Sequence, residues 1–86
     1  MKIIQISAIW CSSCLVMQKI WDSCKCEFSN IEWIKYDLDF DEEEVKRYQV
    51  GEKLPVLIFE KDGIEVSRLV GEKTKEEVQS WIKENQ

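Results

Sequence analysis

The stretch from Lys2 to Ile9 places the strongest constraint on the fold of this 86-residue chain, because it is apolar on both of its faces. Successive side chains of a strand point to opposite sides. One side would carry Ile4, Ile6 and Ala8, and the other would carry Ile3, Gln5, Ser7 and Ile9. A strand of this kind belongs in the centre of a sheet that is covered on both sides.

The next two segments predict how that strand is connected. Ser12 to Cys24 has apolar residues at positions 14, 17, 20, 21 and 24, the spacing of one helix face. Phe28 to Asp37 then predicts a second strand. Because the two strands are joined through a helix, we expect them to be parallel, with a right-handed crossover.

The second half of the chain predicts a short helix, a hairpin and a final helix. Asp41 and Glu44 resemble a capping box, with Phe40 and Val45 as a hydrophobic staple, for a helix ending near Gly51. Lys61-Asp62-Gly63 predicts a tight turn between strands Leu54 to Glu60 and Ile64 to Val70. Thr74 and Glu77 form a second capping box before a helix from Lys75 to Glu84, with Val78, Trp81 and Ile82 facing inward.

The predicted fold class is therefore α/β, in the order β-α-β-α-β-β-α, with a four-stranded mixed sheet between helices. A length of 86 residues, 44% of them apolar, suits a single domain spanning residues 1–86. The net charge of −5, without a basic stripe, argues against nucleic-acid binding. The segment before Trp10 is too short for a signal peptide or a membrane span, so we expect a soluble cytoplasmic protein.

Four cysteines and no histidine limit the chemistry that the chain can perform. Cys11 and Cys14 lie three residues apart at the predicted strand-helix junction, where two thiols can form a disulfide and open it again with two electrons. A tetrathiolate zinc site that includes Cys24 and Cys26 is the structural alternative. Ten helical residues would place Cys24 about 15 Å from Cys14, too far to share a metal, and Cys24 instead continues the apolar helix face.

Trp10-Cys11-Ser12-Ser13-Cys14 after an apolar strand, Leu54-Pro55-Val56 at a later strand, and the glycines Gly63 and Gly71 together resemble the thioredoxin family. The resemblance covers almost the whole chain, although the strand and helix that usually precede the cysteines are missing. It implies a thioredoxin-like fold and a redox-active Cys11-Cys14 disulfide as the only redox group, with no metal and no organic cofactor.

The resemblance also implies a role for several residues. Cys11 would be the exposed nucleophile and Cys14 the buried resolving thiol. The free N–H groups of the helix would favour the thiolate of Cys11. Trp10 would flank the nucleophile, while Leu54 and a cis Pro55 would form the substrate groove.

Three features depart from the family pattern. Ser12 and Ser13 replace the usual dipeptide between the cysteines, and their hydroxyl or N–H groups are candidate donors to the thiolate. Gln5 takes the place of a buried carboxylate and cannot act as a base, whereas Lys35 matches the lysine that usually lies near that carboxylate. Cys24 and Cys26 lie outside the pattern.

The resemblance therefore predicts an enzyme, a dithiol-disulfide oxidoreductase that reduces protein disulfides and serves electron transport and cell redox homeostasis. The chain has no dinucleotide fingerprint, so a separate protein reductase would supply its electrons. We expect a monomer that binds disulfide-containing proteins and neither nucleic acid nor membrane. The alternatives are a glutathione-linked glutaredoxin-like protein, against which the single Gly71 argues, and a non-catalytic binding module that uses the groove at Trp10 and Pro55.

Overall fold

A computed structural model describes residues 1–51 and 53–86 of the chain. It contains four strands and three helices in the predicted order. The elements are β1 (Lys2–Ser7), α1 (Ser12–Glu27), β2 (Glu32–Asp37), α2 (Glu42–Lys46), β3 (Val56–Lys61), β4 (Ile64–Val70) and α3 (Lys75–Asn85).

The strands form one mixed sheet in the order β2-β1-β3-β4. β1 pairs in parallel with β2 and antiparallel with β3, which in turn pairs antiparallel with β4. This arrangement confirms the four-stranded mixed sheet and places the doubly apolar β1 in its interior. The Asp62-Gly63 hairpin is confirmed as well, with φ values of 54° and 77° at the two turn residues, the positive values that a type I′ turn requires.

The two faces of β1 contribute to separate apolar clusters. Ile3 packs with residues of α1 and α3, including the fully buried Trp21 and Ile82, whereas Ile4 and Ile6 pack with Val45 of α2 on the opposite face. Cys24 is buried in the first cluster, as its position on the helix face predicts. The alternation of β1 therefore fixes α1 and α3 on one side of the sheet and α2 on the other.

The ends of several elements differ from the sequence-based predictions. β1 ends at Ser7, and α1 continues to Glu27, so Cys26 lies inside the helix instead of beyond it. The capping box at Thr74 is confirmed, but the one predicted at Asp41 is wrong, because Asp41 Oδ2 accepts from the Asp37 backbone N–H at 2.8 Å instead of capping α2. Phe40 is exposed, so it does not act as a staple, and α2 ends at Lys46.

Arg68 of β4 connects the sheet to the segment after α2. Its Nη2 donates to the Tyr48 carbonyl oxygen at 2.7 Å, and its Nε and Nη2 donate to the Glu65 carboxylate at 2.6 and 2.7 Å. The hydrogen bond from Arg68, reinforced by its charge, lowers the pKa of Glu65 below its ordinary value of 4.5. A carboxyl group with a lowered pKa stabilises the fold above its unfolded-state pKa, and that contribution is lost as the pH falls through the folded-state pKa.

We expect Glu65→Gln to lower the free energy of unfolding by about 0.5 kcal/mol at pH 7, the value typical of a partly exposed ion pair. The difference from wild type should shrink as the pH is lowered through the pKa of Glu65. Urea unfolding followed by tryptophan fluorescence measures it. Glu84→Gln is the control, since Glu84 forms no ion pair among the described residues. A deficit for Glu65→Gln that stays constant down to pH 3 would contradict this account.

Candidate active site

The candidate site begins where β1 ends and α1 starts. Cys11 is the N-cap residue of α1, with extended backbone angles (φ −92°, ψ 111°). Its sulfur accepts a hydrogen bond from the Cys14 backbone N–H at 3.2 Å. The first turn of α1 carries no acidic residue, so no charge within that turn opposes the effect of its free N–H groups and the helix dipole on Cys11. This environment favours a negative charge on the Cys11 sulfur.

Cys11 and Cys14 form a disulfide, with their Cα atoms 5.3 Å apart. Both cysteines pack in a small cluster with Ala8, flanked by Leu38 and Leu54. The exposed fraction of Cys11 is 8% and that of Cys14 is 4%. In the disulfide form Cys11 is therefore nearly as buried as Cys14, contrary to the predicted exposed nucleophile, because its sulfur is directed into the helix turn and the cluster.

Cys11 opens onto a cleft of about 490 Å³ at the end of the sheet. The lining residues are Trp10, Cys11, Ser12, Ser13, Lys53, Leu54, Gly71 and Glu72. The peptide bond between Leu54 and Pro55 is cis, and the Gly71 N–H donates to the Pro55 carbonyl oxygen at 2.8 Å. This hydrogen bond joins the loop before β3 to the loop after β4, so two loops that are distant in sequence form one wall of the cleft.

Trp10 is 64% exposed and lies at the rim of the same cleft. Its indole Nε1 donates to Asp39 Oδ2 at 2.8 Å, and the Asp39 N–H donates to Asp37 Oδ1 at 2.8 Å. The turn after β2 therefore holds the indole next to Cys11. Sequence reasoning did not single out Asp39, because nothing in the spacing of the acidic cluster distinguishes it from its neighbours.

Cys14 borders a second, smaller cleft of about 100 Å³ on another side of the cysteine pair. Lys35, Gln18 and Asp37 contribute its polar lining. The Lys35 ammonium donates to Gln18 Oε1 at 3.0 Å, and Gln18 Nε2 donates to Asp22 Oδ1 at 2.9 Å. The two cysteines therefore border different clefts, the larger with Trp10 at its rim and the smaller with Lys35, Gln18 and Asp37 among its lining residues.

Gln5 lies in the middle of β1 and is only 3% exposed. Its side-chain Nε2 is fully buried and has no hydrogen-bond partner among the described residues. A buried donor without a partner costs about 1–3 kcal/mol. The sequence identified Gln5 as a departure from the family pattern, but the missing partner is visible only in the structure.

The remaining cysteines lie away from the pair. Cys24 is buried and Cys26 is exposed, and both are free thiols. Burial raises the pKa of Cys24, and the nearby Glu27 raises it further. Within residues 1–51 and 53–86, no group of three or more Cys, Asp or Glu residues is arranged to hold a metal ion, and no helix is long and apolar enough to cross a membrane.

A disulfide at the N-terminus of a helix, beside a cis-proline loop and at the end of a mixed sheet, defines the class of thiol-disulfide oxidoreductases. Comparison with known proteins agrees with this geometry. The Thioredoxin family model matches residues 1–84, and the chain belongs to the thioredoxin family. Its members are protein disulfide oxidoreductases, and this chain has that function and that fold.

Individual relatives show how far the similarity extends. Thioredoxin from Chlamydia trachomatis serovar D is 31% identical over 84 residues, which are 98% of this chain and 81% of the relative. Thioredoxin from Chlamydia caviae is 34% identical over 74 residues, which are 86% of this chain and 72% of the relative. The X-ray structure of Fasciola hepatica thioredoxin superposes with a TM-score of 0.90 at 27% identity, covering 99% of this chain and 80% of that one.

Alkylation with iodoacetamide should distinguish the four cysteines. We expect one modification per chain in the native oxidised protein, on Cys26, because Cys24 is buried and burial disfavours its reactive thiolate. Unfolding without reductant should give two modifications, and unfolding with reductant should give four. Intact-mass spectrometry and peptide mapping measure the counts. Labelling of Cys24 as fast as Cys26 in the native protein would show that the apolar cluster does not protect it.

Proposed function

We propose that this protein reduces disulfide bonds in protein substrates, with Cys11 as the attacking thiol and Cys14 as the resolving thiol. The observation that carries the proposal is the position of Cys11, which caps α1 and lines the larger cleft, while Cys14 lies one turn inside the helix. Substrate would approach Cys11 between Trp10, Leu54 and Gly71. The groove at Leu54 and Pro55 would then receive the chain that carries the substrate cysteine.

The proposed cycle moves two electrons from the protein to the substrate. The Cys11 thiolate attacks one substrate sulfur, forming a mixed disulfide and releasing the other substrate sulfur as a thiolate. Cys14 loses its proton to solvent and attacks the Cys11 sulfur, which breaks the mixed disulfide and leaves Cys11–Cys14 oxidised. The substrate gains two electrons and two protons, and a separate protein reductase would restore the dithiol. The cycle uses no metal and no organic cofactor.

Two features support a reducing compartment and a monomer. Cys24 and Cys26 are free thiols, which persist mainly where glutathione and thioredoxin systems keep thiols reduced. We therefore propose a cytoplasmic location and a role in cell redox homeostasis and electron transport. The net charge of −5 opposes self-association, in line with a monomer in which residues 1–86 act as one domain.

Reduction of insulin disulfides in the presence of a low concentration of dithiothreitol tests the roles of the two cysteines. We expect Cys11→Ser to lower the rate to that of dithiothreitol alone, because the attacking sulfur is removed. Cys14→Ser should accumulate a mixed disulfide through Cys11, visible by mass spectrometry without reductant. Cys26→Ser is the matched control and should retain wild-type activity, since Cys26 is exposed and lies near the far end of α1.

Activity that survives in Cys11→Ser would overturn the assignment of the nucleophile. The reductant distinguishes the remaining alternatives. Turnover with glutathione alone at the rate reached with a protein reductase would favour a glutaredoxin-like cycle. A Cys11–Cys14 pair that cannot be reduced and reoxidised in a redox titration would favour a binding module.

A further inference from the structure

Among residues 1–51 and 53–86, two buried side-chain donors have no hydrogen-bond partner, Gln5 Nε2 and Trp21 Nε1, and of these Gln5 is the polar side chain on the strand that leads to the cysteines. It is 3% exposed, and its Nε2 carries two N–H donors that meet no acceptor among the described residues. Buried donors are nearly always paired, so an orphaned one calls for an explanation. The structure shows the disulfide form of the cysteines, in which neither sulfur carries a charge.

The sheet register places Gln5 next to two residues that line the cleft of Cys14. Gln5 pairs directly with Lys35 of β2, so the two side chains share one face of the sheet. Ser7 lies on the same face of β1, two residues further along. Both Lys35 and Ser7 line the cleft that Cys14 borders. Gln5 is therefore flanked, along the strand and across it, by residues that line the same cleft as the resolving cysteine.

We propose that the Gln5 side-chain amide donates a hydrogen bond to the Cys14 thiolate as this sulfur attacks the mixed disulfide at Cys11. The inference rests on the proposed function and assigns Gln5 a place in its second step. In the disulfide form the donor meets no acceptor among residues 1–51 and 53–86; it would gain one when Cys14 ionises and lose it again when the new disulfide forms. An N–H donor to an anion makes a stronger hydrogen bond than one to a neutral acceptor and favours the ionised form.

Protons and electrons balance without a base at position 5. The Cys14 proton passes to water in the small cleft, which is large enough to admit it. The thiolate then forms the bond to Cys11, and the electron pair of the broken bond leaves on the substrate sulfur. Cys11, the N-cap residue of α1, is the disulfide partner of Cys14. The charged groups that line the small cleft with Cys14 are Lys35 and Asp37 on β2, and Asp22 is linked to Lys35 through Gln18. Lys35 is exposed, so solvent screens its charge.

The test separates the two steps with the chromogenic disulfide DTNB, used below one equivalent per reduced protein in a Cys26→Ser background. Attack by Cys11 releases a first thionitrobenzoate, and attack by Cys14 releases a second. Stopped-flow absorbance between pH 5 and 10 gives both rates. The variants are Gln5→Met, which keeps the length of the side chain, and Gln5→Leu, and Cys14→Ser marks the first phase alone.

We expect Gln5→Met to leave the first phase unchanged and to move the pH midpoint of the second phase up by about one unit, the effect of one charge-assisted hydrogen bond. At pH 7 the thiolate fraction would fall about tenfold while its nucleophilicity rises about threefold, so the second phase slows about threefold. Above both midpoints the variant should be about threefold faster than wild type. The second-phase rates of variant and wild type, plotted against pH, would therefore cross. A purely structural role of Gln5 would not produce this crossover.

The outcomes are distinguishable. An unchanged second-phase pH profile in Gln5→Met or Gln5→Leu overturns the inference, while wild type that shows no second phase overturns the proposed function itself. A crossover in Lys35→Met, with none in the Gln5 variants, would assign the effect to the ammonium group and overturn the inference as well. If neither Gln5 variant folds, NMR of the wild-type Gln5 side-chain amide decides. In the reduced protein, the chemical shifts of the Gln5 amide protons should change with pH, and the midpoint of this change should equal the pH midpoint of the second phase. Chemical shifts that do not follow that midpoint overturn the inference.

Discussion

The hydrogen bond from the Cys14 backbone N–H to the Cys11 sulfur is the contact on which the site depends. It makes a cysteine the N-cap of α1, a position that oxygen-bearing side chains usually occupy. One sulfur therefore satisfies a free donor of the helix and also forms the disulfide. The helix start and the redox pair are the same structural feature, so a change that moves one moves the other.

The sheet determines what surrounds this junction. β1 carries the chain to the cysteines from the interior of the sheet, with Gln5 buried on the face that packs against α1 and α3. β3 and β4 bring the cis Leu54-Pro55 peptide bond and Gly71 to the same end of the sheet as the cysteines. There the hydrogen bond from the Gly71 N–H to the Pro55 carbonyl oxygen holds the two loops together. As a result, Cys11 faces the larger cleft, between Trp10, Leu54 and Gly71, whereas Cys14 faces a smaller one beside Lys35 and Asp37. The two steps of the proposed cycle take place in different surroundings, although the sulfurs are bonded.

Much of the fold and part of the site could be predicted from local patterns. The doubly apolar β1, the helical spacing around Trp21, the Asp62-Gly63 turn and the capping box at Thr74 each depend on residues close together in sequence, and each is confirmed. The predictions at Asp41 and Phe40 were wrong because the Asp41 carboxylate accepts from the Asp37 N–H in the turn after β2 instead of from an N–H of α2. Both N–H groups lie close to Asp41 in sequence, so local propensity does not distinguish between them.

The sequence by itself determined the order of the elements, the residues on each face of β1 and the cysteine pair at a helix start, because these follow from side-chain periodicity and from spacing along the chain. Only the tertiary structure decided that Asp39 holds Trp10, that Cys11 is buried in the disulfide form and that Gln5 Nε2 has no hydrogen-bond partner in the described part of the chain. Each of these depends on which atoms meet across the sheet and its loops, between residues far apart in sequence; Trp10 and Asp39, for example, are separated by 29 positions. Hydrogen bonding and burial depend on contacts between segments that are distant in sequence, so no single segment of the chain determines them.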